Sequence, residues 1–388
     1  MGTREKKAIS LETFIFIAVF FGIFIALGSK MGAVFMLNTL MNTAYDLLMG
    51  TVFKIMAIAV LAGAISALLS EFGVIALINK LLSPLMKPIY GLPGASALGI
   101  MTTYLSDNPA ILTLADDKGF RRYFKKYQFP ALTNIGTAFG MGLIVTTFMM
   151  SIESPTGENF VIAALIGNVG AIIGSIVSTR IMLMFTKKMY GTEEYVVPRE
   201  PGAKEEKITT RTVSEGGVAS RAMNALLNGG KSGVDMGLAV IPGVLIICTI
   251  MMMLTNGPSA SGAYTGAAYE GVALLPWVGE KLNFILEPLF GFASPQGVAV
   301  PITSLGAAGA AMTLVPDLIK NGLANGHDIA VFTAMCMCWS GYLSTHVAMM
   351  DSINYKEATG KAIISHTFGG LAAGIAANWI YQLVSLMM

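Results

Sequence analysis

The chain has 388 residues, 54% of them hydrophobic and 12% charged, with a formal net charge of +2. Its mean hydropathy is +0.67. Soluble domains carry roughly 25% charged residues, so this composition has too little polar surface to close a globule in water. The small net charge argues against a nucleic-acid partner. Cys248, Cys336 and Cys338 all lie in apolar runs and imply no disulfide framework. The Met and Gly content suits close helix packing in lipid.

Arg4, Lys6 and Lys7 precede an apolar run from Phe14 to Leu27, and Ala26-Leu27-Gly28 has the form of a signal-peptide cleavage site. We read this segment as a retained first span. Further apolar runs lie at 51–70, 129–151, 160–186, 234–254, 329–350 and 362–386, after the first at 11–29. Each is of the order of the ~20 residues that cross a bilayer as a helix. Residues 31–50 carry Asn38, Asn42 and Asp46 and are read as an interfacial segment rather than a span. Residues 74–90 and 276–290 combine apolar stripes with Lys80, Lys87, Glu280 and Lys281, the pattern of helices lying in the interface. Each is followed by a run broken by Gly, Pro, Ser and Thr, at 91–117 and 291–317. These runs suit re-entrant hairpins, whose freed backbone must be satisfied by protein or a water-filled cavity. Residues 187–232 are polar, with Pro198 and Pro201, and read as a solvated linker.

The positive-inside rule places Arg121, Arg122, Lys125, Lys126, Lys187, Lys188 and the linker in the cytoplasm. That orientation gives seven spans, a cytoplasmic N-terminus and an outer C-terminus, in a cell (inner) membrane.

Shifted by 200, the sequence meets itself. Gly91, Thr103, Leu105, Ala110, Thr113, Leu114, Asp117, Thr133 and Leu143 face Gly291, Thr303, Leu305, Ala310, Thr313, Leu314, Asp317, Thr333 and Leu343. Met149-Met150 face Met349-Met350, and Gly170 and Gly174 face Gly370 and Gly374. Each half reads span, amphipathic helix, broken hairpin, span, span, and the charge rule orients the two copies oppositely. The expected fold is an all-α membrane protein of two inverted repeats. Its parts are an N-terminal span and interfacial segment (1–50), a first repeat (51–186), the linker (187–232) and a second repeat (233–388). Secondary transporters of this architecture hold their site near the midplane at the repeat interface.

In the first hairpin, Asp107, Asn108 and Pro109 favour a turn, and Ser106-Asp107-Asn108 form its candidate tip. An acid at membrane depth is costly unless paired or solvated, which marks Asp107 as a binding group; capping a half-helix is the structural alternative. The second hairpin, without an acid at its tip, offers Gln296, Thr303 and Ser304, or simply close packing by small residues. In the span after the first hairpin, Thr133, Asn134 and Thr137 lie among glycines where unwinding would expose carbonyls to Na⁺. Thr103 completes that candidate ion set, with Na⁺ as the expected coupling ion. The corresponding later span offers Ser340, Ser344, Thr345 and His346. His346 is read as a ligand or proton carrier, or as a hydrogen-bonded core histidine. Cys336 and Cys338 lack the further ligands a metal site needs. No nucleophile–base pair and no nucleotide loop is present, so the chain is read as a carrier driven by an ion gradient, not an enzyme.

This order of elements resembles the concentrative nucleoside transporters and the wider nucleoside-recognition (Gate) domain membrane proteins, over residues 50–386. Those transporters place a Gln-Thr-Glu triplet and Ala-Pro at the first hairpin tip, where this chain has Ser106-Asp107-Asn108-Pro109-Ala110. Their second hairpin carries a glutamate; here Gly306-Ala307-Ala308 supplies no acid. Their Asn and Ser-Ser pair corresponds to Tyr342 and Ser344-Thr345. The resemblance implies an elevator-like carrier of a small polar solute, nucleosides first among them. It also implies coupling to Na⁺ and a homo-oligomer, with trimer as the expected state. A non-transport envelope or spore-maturation scaffold sharing the Gate fold is the alternative.

Overall fold

The computed structural model describes residues 7–108, 110–115, 118–198, 213–259 and 261–387. Arg4, Lys6, Pro109, Asp117 and Pro201 lie outside these residues. Among them the chain is helical, with no strand. Helix α1 (Leu11–Met31) is apolar all round and almost wholly exposed, as a lipid-facing span should be. Gly32 (φ +83°) ends it and opens α2 (Ala33–Glu71), a single 39-residue helix with a π-helical turn at Leu47–Val52.

This corrects the reading of 31–50 as a separate interfacial segment. Its polar residues are matched by the loop 256–273, which lies along the helix. The Asn42 amide donates to the Gly266 carbonyl (2.8 Å), the Tyr269 N–H donates to Thr43 Oγ1 (2.8 Å) and the Tyr269 hydroxyl donates to Asp46 (2.6 Å).

The antiparallel partner of α2 is α9 (Val218–Thr255), which carries its own π-helical turn at Val244–Cys248. Gly63 and Gly229 make their contact possible: a Cβ on either would fall 2.4 or 2.3 Å from the other's carbonyl oxygen. At the far end Arg221 Nε donates to Glu71 (2.6 Å), and Ser214 N–H joins them (3.2 Å). Residues 218–232, read from sequence as part of the linker, are therefore helix. Their small residues lie on α2, a partner that local sequence does not reveal.

Helix α3 (Val74–Tyr90) presents Leu77, Leu81, Leu85 and Ile89 as an exposed stripe, and α10 (Leu274–Phe290) presents Trp277, Phe284 and Ile285. Each leads to a hairpin. The first pairs α4 (Ser96–Tyr104) with α5 (Ala110–Ala115), and the second pairs α11 (Ala299–Ser304) with α12 (Ala308–Lys320). The following spans are broken: α6 (Ala131–Thr137) and α7 (Gly142–Met150) in one half, α13 (Gly326–Trp339) and α14 (Tyr342–Ser352) in the other. Helices α8 (Val161–Tyr190) and α15 (Thr359–Ser385) close the halves and pack together, with Gly170 and Gly174 against the Ala373 and Gly369 carbonyls.

The inverted repeat is written into the backbone. Left-handed residues recur 200 positions apart: Gly73 (φ +80°) with Ala273 (+51°), Gly91 (+75°) with Gly291 (+64°), and Met141 (+56°) with Gly341 (+68°). Gly91 and Gly291 end their interfacial helices alike, donating to the Lys87 and Glu287 carbonyls (3.0 and 2.7 Å). Positive φ is uncommon for residues other than Gly. Ala273 and Met141 therefore hold a conformation set by repeat geometry rather than by local preference.

Candidate functional site

The two hairpin tips and the two helix breaks converge. Asn108, 1% exposed, donates its amide to the Ser340 carbonyl (2.5 Å), and Ser340 Oγ donates to the Gly140 carbonyl (3.3 Å). At the second tip, the Ser304 carbonyl accepts from Gly341 N–H (2.8 Å), whose left-handed conformation turns it toward Gly306. Both hairpin tips thus bond the second break, and Ser340 of that break bonds the first, which satisfies part of the backbone that unwinding frees.

Around this junction lie the half-exposed Ser106 and Asp107 of the first tip, Ile302 and Gly306 of the second, and the exposed Leu343, Ser344 and Val347 of α14. Asp107 Oδ1 accepts from Asn108 N–H (2.7 Å), and among the described residues it makes no ion pair. Its side chain shapes the tip and also leaves a half-buried acidic group there.

The other candidates divide into two groups. Ser106, Asp107, Asn108, Ser304, Tyr342, Ser344 and Thr345 lie at or beside the breaks. Thr345 Oγ1 and Ser344 Oγ donate back to the Gly341 carbonyl (3.1 and 3.3 Å). Thr303 returns its hydroxyl to Ala299 (2.7 Å) and Ser304 to Pro301 (2.7 Å). Gln296 sits elsewhere, in the 3-10 turn Pro295–Val298 that packs on α10 near Gly279, at the opposite end of the hairpin from its tip.

In the ion set, Thr103, Thr133 and Asn134 each spend their side-chain hydrogen bonds on other protein groups. Thr103 donates to its own helix (3.0 Å), and Thr133 donates to the Pro130 carbonyl (2.9 Å). Asn134 turns its amide away, to Ser178 (2.9 Å) and the Ala362 carbonyl (3.0 Å). His346, one turn along α14 from the exposed Leu343, is fully buried. His366 of α15 is also fully buried: its ring lies 4.7 Å from that of His346 and 5.2 Å from that of Tyr342.

Four of the nine buried side-chain polar atoms without a protein partner among the described residues lie on the first hairpin tip or the broken spans: Asn108 Oδ1, Thr137 Oγ1, Trp339 Nε1 and His346 Nε2. An unsatisfied buried donor or acceptor costs about 1–3 kcal/mol, and most folds avoid it. A cavity of about 440 Å³, lined by Lys54, Glu153, Ser154 and Lys320, lies elsewhere, beside the last turns of α7 and α12. No group of three or more His, Cys, Asp or Glu placed to hold a metal occurs among the described residues.

Interfacial helices, facing hairpins and paired breaks in inverted order define the class: a multi-pass membrane protein with the fold of the concentrative nucleoside transporters. The particular likeness is to structures of the transporter CNTnw. A double variant in an outward-facing state matches with a TM-score of 0.55 and 13% identity, covering 96% of this chain and 86% of that one. CNTnw in an inward-facing substrate-bound state matches at 0.54 and 14%, covering 98% and 94%. A single variant in an intermediate state gives 0.54 and 13%, covering 95% and 85%. At this identity the likeness is one of fold. No family model and no curated protein matches the chain.

Proposed function

We propose that this protein is an ion-coupled secondary transporter of a small polar organic solute, nucleosides foremost, working by an elevator-like displacement. The observation that carries the reading is a mismatch of symmetry. Helices α2 and α9 form a scaffold whose pseudo-twofold axis passes where their π-helical turns meet. The hairpin body has its own axis, at the Gly140–Ser340 contact.

The two axes do not coincide. The first tip touches the scaffold near the Glu71 end, where Ser66 Oγ donates to the Leu105 carbonyl (3.3 Å). The second tip instead lies beside the π-helical turn: Ala307 faces Gly243, and Cys248 Sγ contacts the Ala310 carbonyl at 2.9 Å. At ~1.5 Å of rise per residue, the body is displaced toward the Glu71 end by on the order of 15 Å along the scaffold helices. A body seated asymmetrically on a symmetric scaffold has a second seat of equal pattern at the other end. With the Lys- and Arg-rich end in the cytoplasm of a cell-membrane protein, the present seat is inward-facing.

The solute meets Ser106, Asp107 and Ser344 as polar contacts and Ile302, Leu343 and Val347 as apolar ones. Asp107 without a cationic neighbour suits a solute rich in hydrogen-bond donors. The second tip presents only backbone and methyl groups, so a nucleoside would be recognised mainly from the first. The likeness to CNTnw supports the class of solute, and a trimer is the assembly we expect. A purely structural scaffold would have little use for four unsatisfied polar atoms at its centre, which weighs against the envelope-assembly reading.

Thermal shift of the purified protein against nucleosides, nucleobases and small amines, paired with uptake into proteoliposomes under ion gradients, tests the proposal. Binding to the folded state raises Tm. No shift and no uptake for any of these solutes would overturn it.

A further inference from the structure

We propose that His346 is the binding site of the coupling proton, in the transport reading given above. The hydrogen bonds assign its tautomer. Its Nδ1 lies 3.1 Å from the Tyr342 carbonyl, which can only accept, so Nδ1 carries hydrogen and Nε2 presents a lone pair. That Nε2 has no partner among the described residues and the side chain is fully buried.

His366 is in the contrasting condition. Its Nε2 faces the Cys338 carbonyl at 2.5 Å, and its Nδ1 accepts from Ser178 at 2.9 Å. Ser178 in turn accepts from the Asn134 amide (2.9 Å). One histidine of the pair has both nitrogens committed, and the other keeps a vacant acceptor.

The level of that acceptor along the helix pair follows from the helix packing. The Gly140–Ser340 contact brings together the C-terminal end of α6 and the N-terminal end of α14, so the two helices run antiparallel. Thr133 Oγ1 on α6 lies 3.5 Å from Met350 Sδ on α14. One turn further along α6 is Thr137 and one turn back along α14 is His346, which therefore share a level. Thr137 Oγ1 is the other unpartnered atom there. An unpartnered hydroxyl and a bare imidazole nitrogen at one level of these packed helices make a seat for a proton delivered on water.

The step is an acid–base transfer. Hydronium gives its proton to the Nε2 lone pair, leaving water and an imidazolium, and water on the opposite side later takes that proton back. The ionisable groups around it are few: His366 on α15 (ring centroids 4.7 Å apart), Cys338 on α13 next to them, and Tyr342 on its own helix (5.9 Å). Thr133 and Thr137 on α6 do not titrate, and Asp351, further along α14, is paired with Lys356 (2.6 Å). No acid in this group holds the proton permanently, so it can leave.

The chain has three histidines, His327, His346 and His366, which makes a direct test practical. Nitrogen-15 histidine NMR on the full protein in liposomes, from pH 8 to pH 5 without solute, should show one buried ring whose bare Nε2 becomes protonated. That signal should vanish in His346→Gln. If only His327 titrates, or if the neutral ring merely keeps a bound water throughout, the proposal falls.

In proteoliposomes, labelled uridine should accumulate about ten-fold for one pH unit of gradient in wild type. His346→Gln should still exchange uridine at equal concentrations but lose that accumulation. Accumulation retained in His346→Gln, or driven in wild type by Na⁺ at constant pH, overturns the proposal. Absence of any uridine exchange would count against nucleoside transport, and the NMR titration would still decide the proton site.

Discussion

Ser340 Oγ reaches the carbonyl of Gly140 at 3.3 Å, so the two residues that stand 200 positions apart in the repeat touch each other at its centre. Around that contact a Cβ on Gly140 would fall 1.3 Å from Asn108 Oδ1 and 2.9 Å from Ser340 Oγ. The break, the hairpin tip and the opposite repeat thus compete for one small volume. Gly140→Ala should destabilise the protein by about 1–3 kcal/mol, the usual cost of overpacking, and should reduce uptake. Adding Asn108→Ala should recover part of the lost Tm, because the clash is with that side chain. Additive losses in this double-mutant cycle would show that the two do not share the space.

Asp107→Asn keeps an oxygen to accept from Asn108 N–H, so the tip should fold as before. It removes the acid from the tip. Solute-induced thermal shifts should disappear and uptake should fall by at least about ten-fold, as expected when a charged hydrogen-bond partner worth roughly 1.5–3 kcal/mol is lost. Melting curves without solute are the control, and an unchanged shift with solute would remove Asp107 from the site.

The displaced seating can be trapped. In a background where the three buried native cysteines are replaced, Ser66→Cys with Leu105→Cys should cross-link in the present seat, since Ser66 already bonds the Leu105 carbonyl. Exchanging the roles of the repeats brings the first tip to the π-helical turn of α2. Gly50→Cys with Ser106→Cys should therefore cross-link only in the opposite seat. Gel mobility after oxidation, in inverted vesicles and with solute added, reads both. Failure of the second pair under every condition would argue for a single fixed arrangement.

Glu270 anchors the loop 256–273. It is 4% exposed and accepts from Thr265 N–H (3.0 Å), Thr265 Oγ1 (2.6 Å) and Gly266 N–H (2.9 Å). Desolvation pushes its carboxyl up, but the bonds from Thr265 and Gly266 together outweigh this and hold it below the ordinary value. A depressed acid contributes stability that is present above its unfolded pKa, near 4.3, and is lost as pH falls through the lower folded value. The loop should loosen below about pH 4. Hydrogen exchange at Gly266 and Tyr269 should rise there, and Glu270→Gln should show the faster exchange already at neutral pH.

Much of this architecture is determined locally. An apolar run of ~20 residues needs no partner to be a span, and the interfacial helix α3 occupies the residues its stripe marks, 74–90. The offset of 200 is also a local matter, because glycines and turns recur wherever the same bend recurs. Where the sequence departs from glycine, at Met141 and Ala273, the bend persists and only the structure reveals it.

What local sequence leaves open depends on partners far along the chain. Asn38, Asn42 and Asp46 look too polar for a membrane-protein helix until loop 256–273 is laid beside them. Residues 218–232 look like linker until Gly63 and Glu71 of α2 are brought against them. His346 and His366 stand on separate helices, and nothing in either segment states that their rings meet or that one nitrogen is left bare. Periodicity determines which residues enter the membrane and how the chain turns there, because those are properties of short segments in a given solvent. Which polar groups remain unsatisfied is decided only by tertiary packing, because satisfaction is a property of pairs.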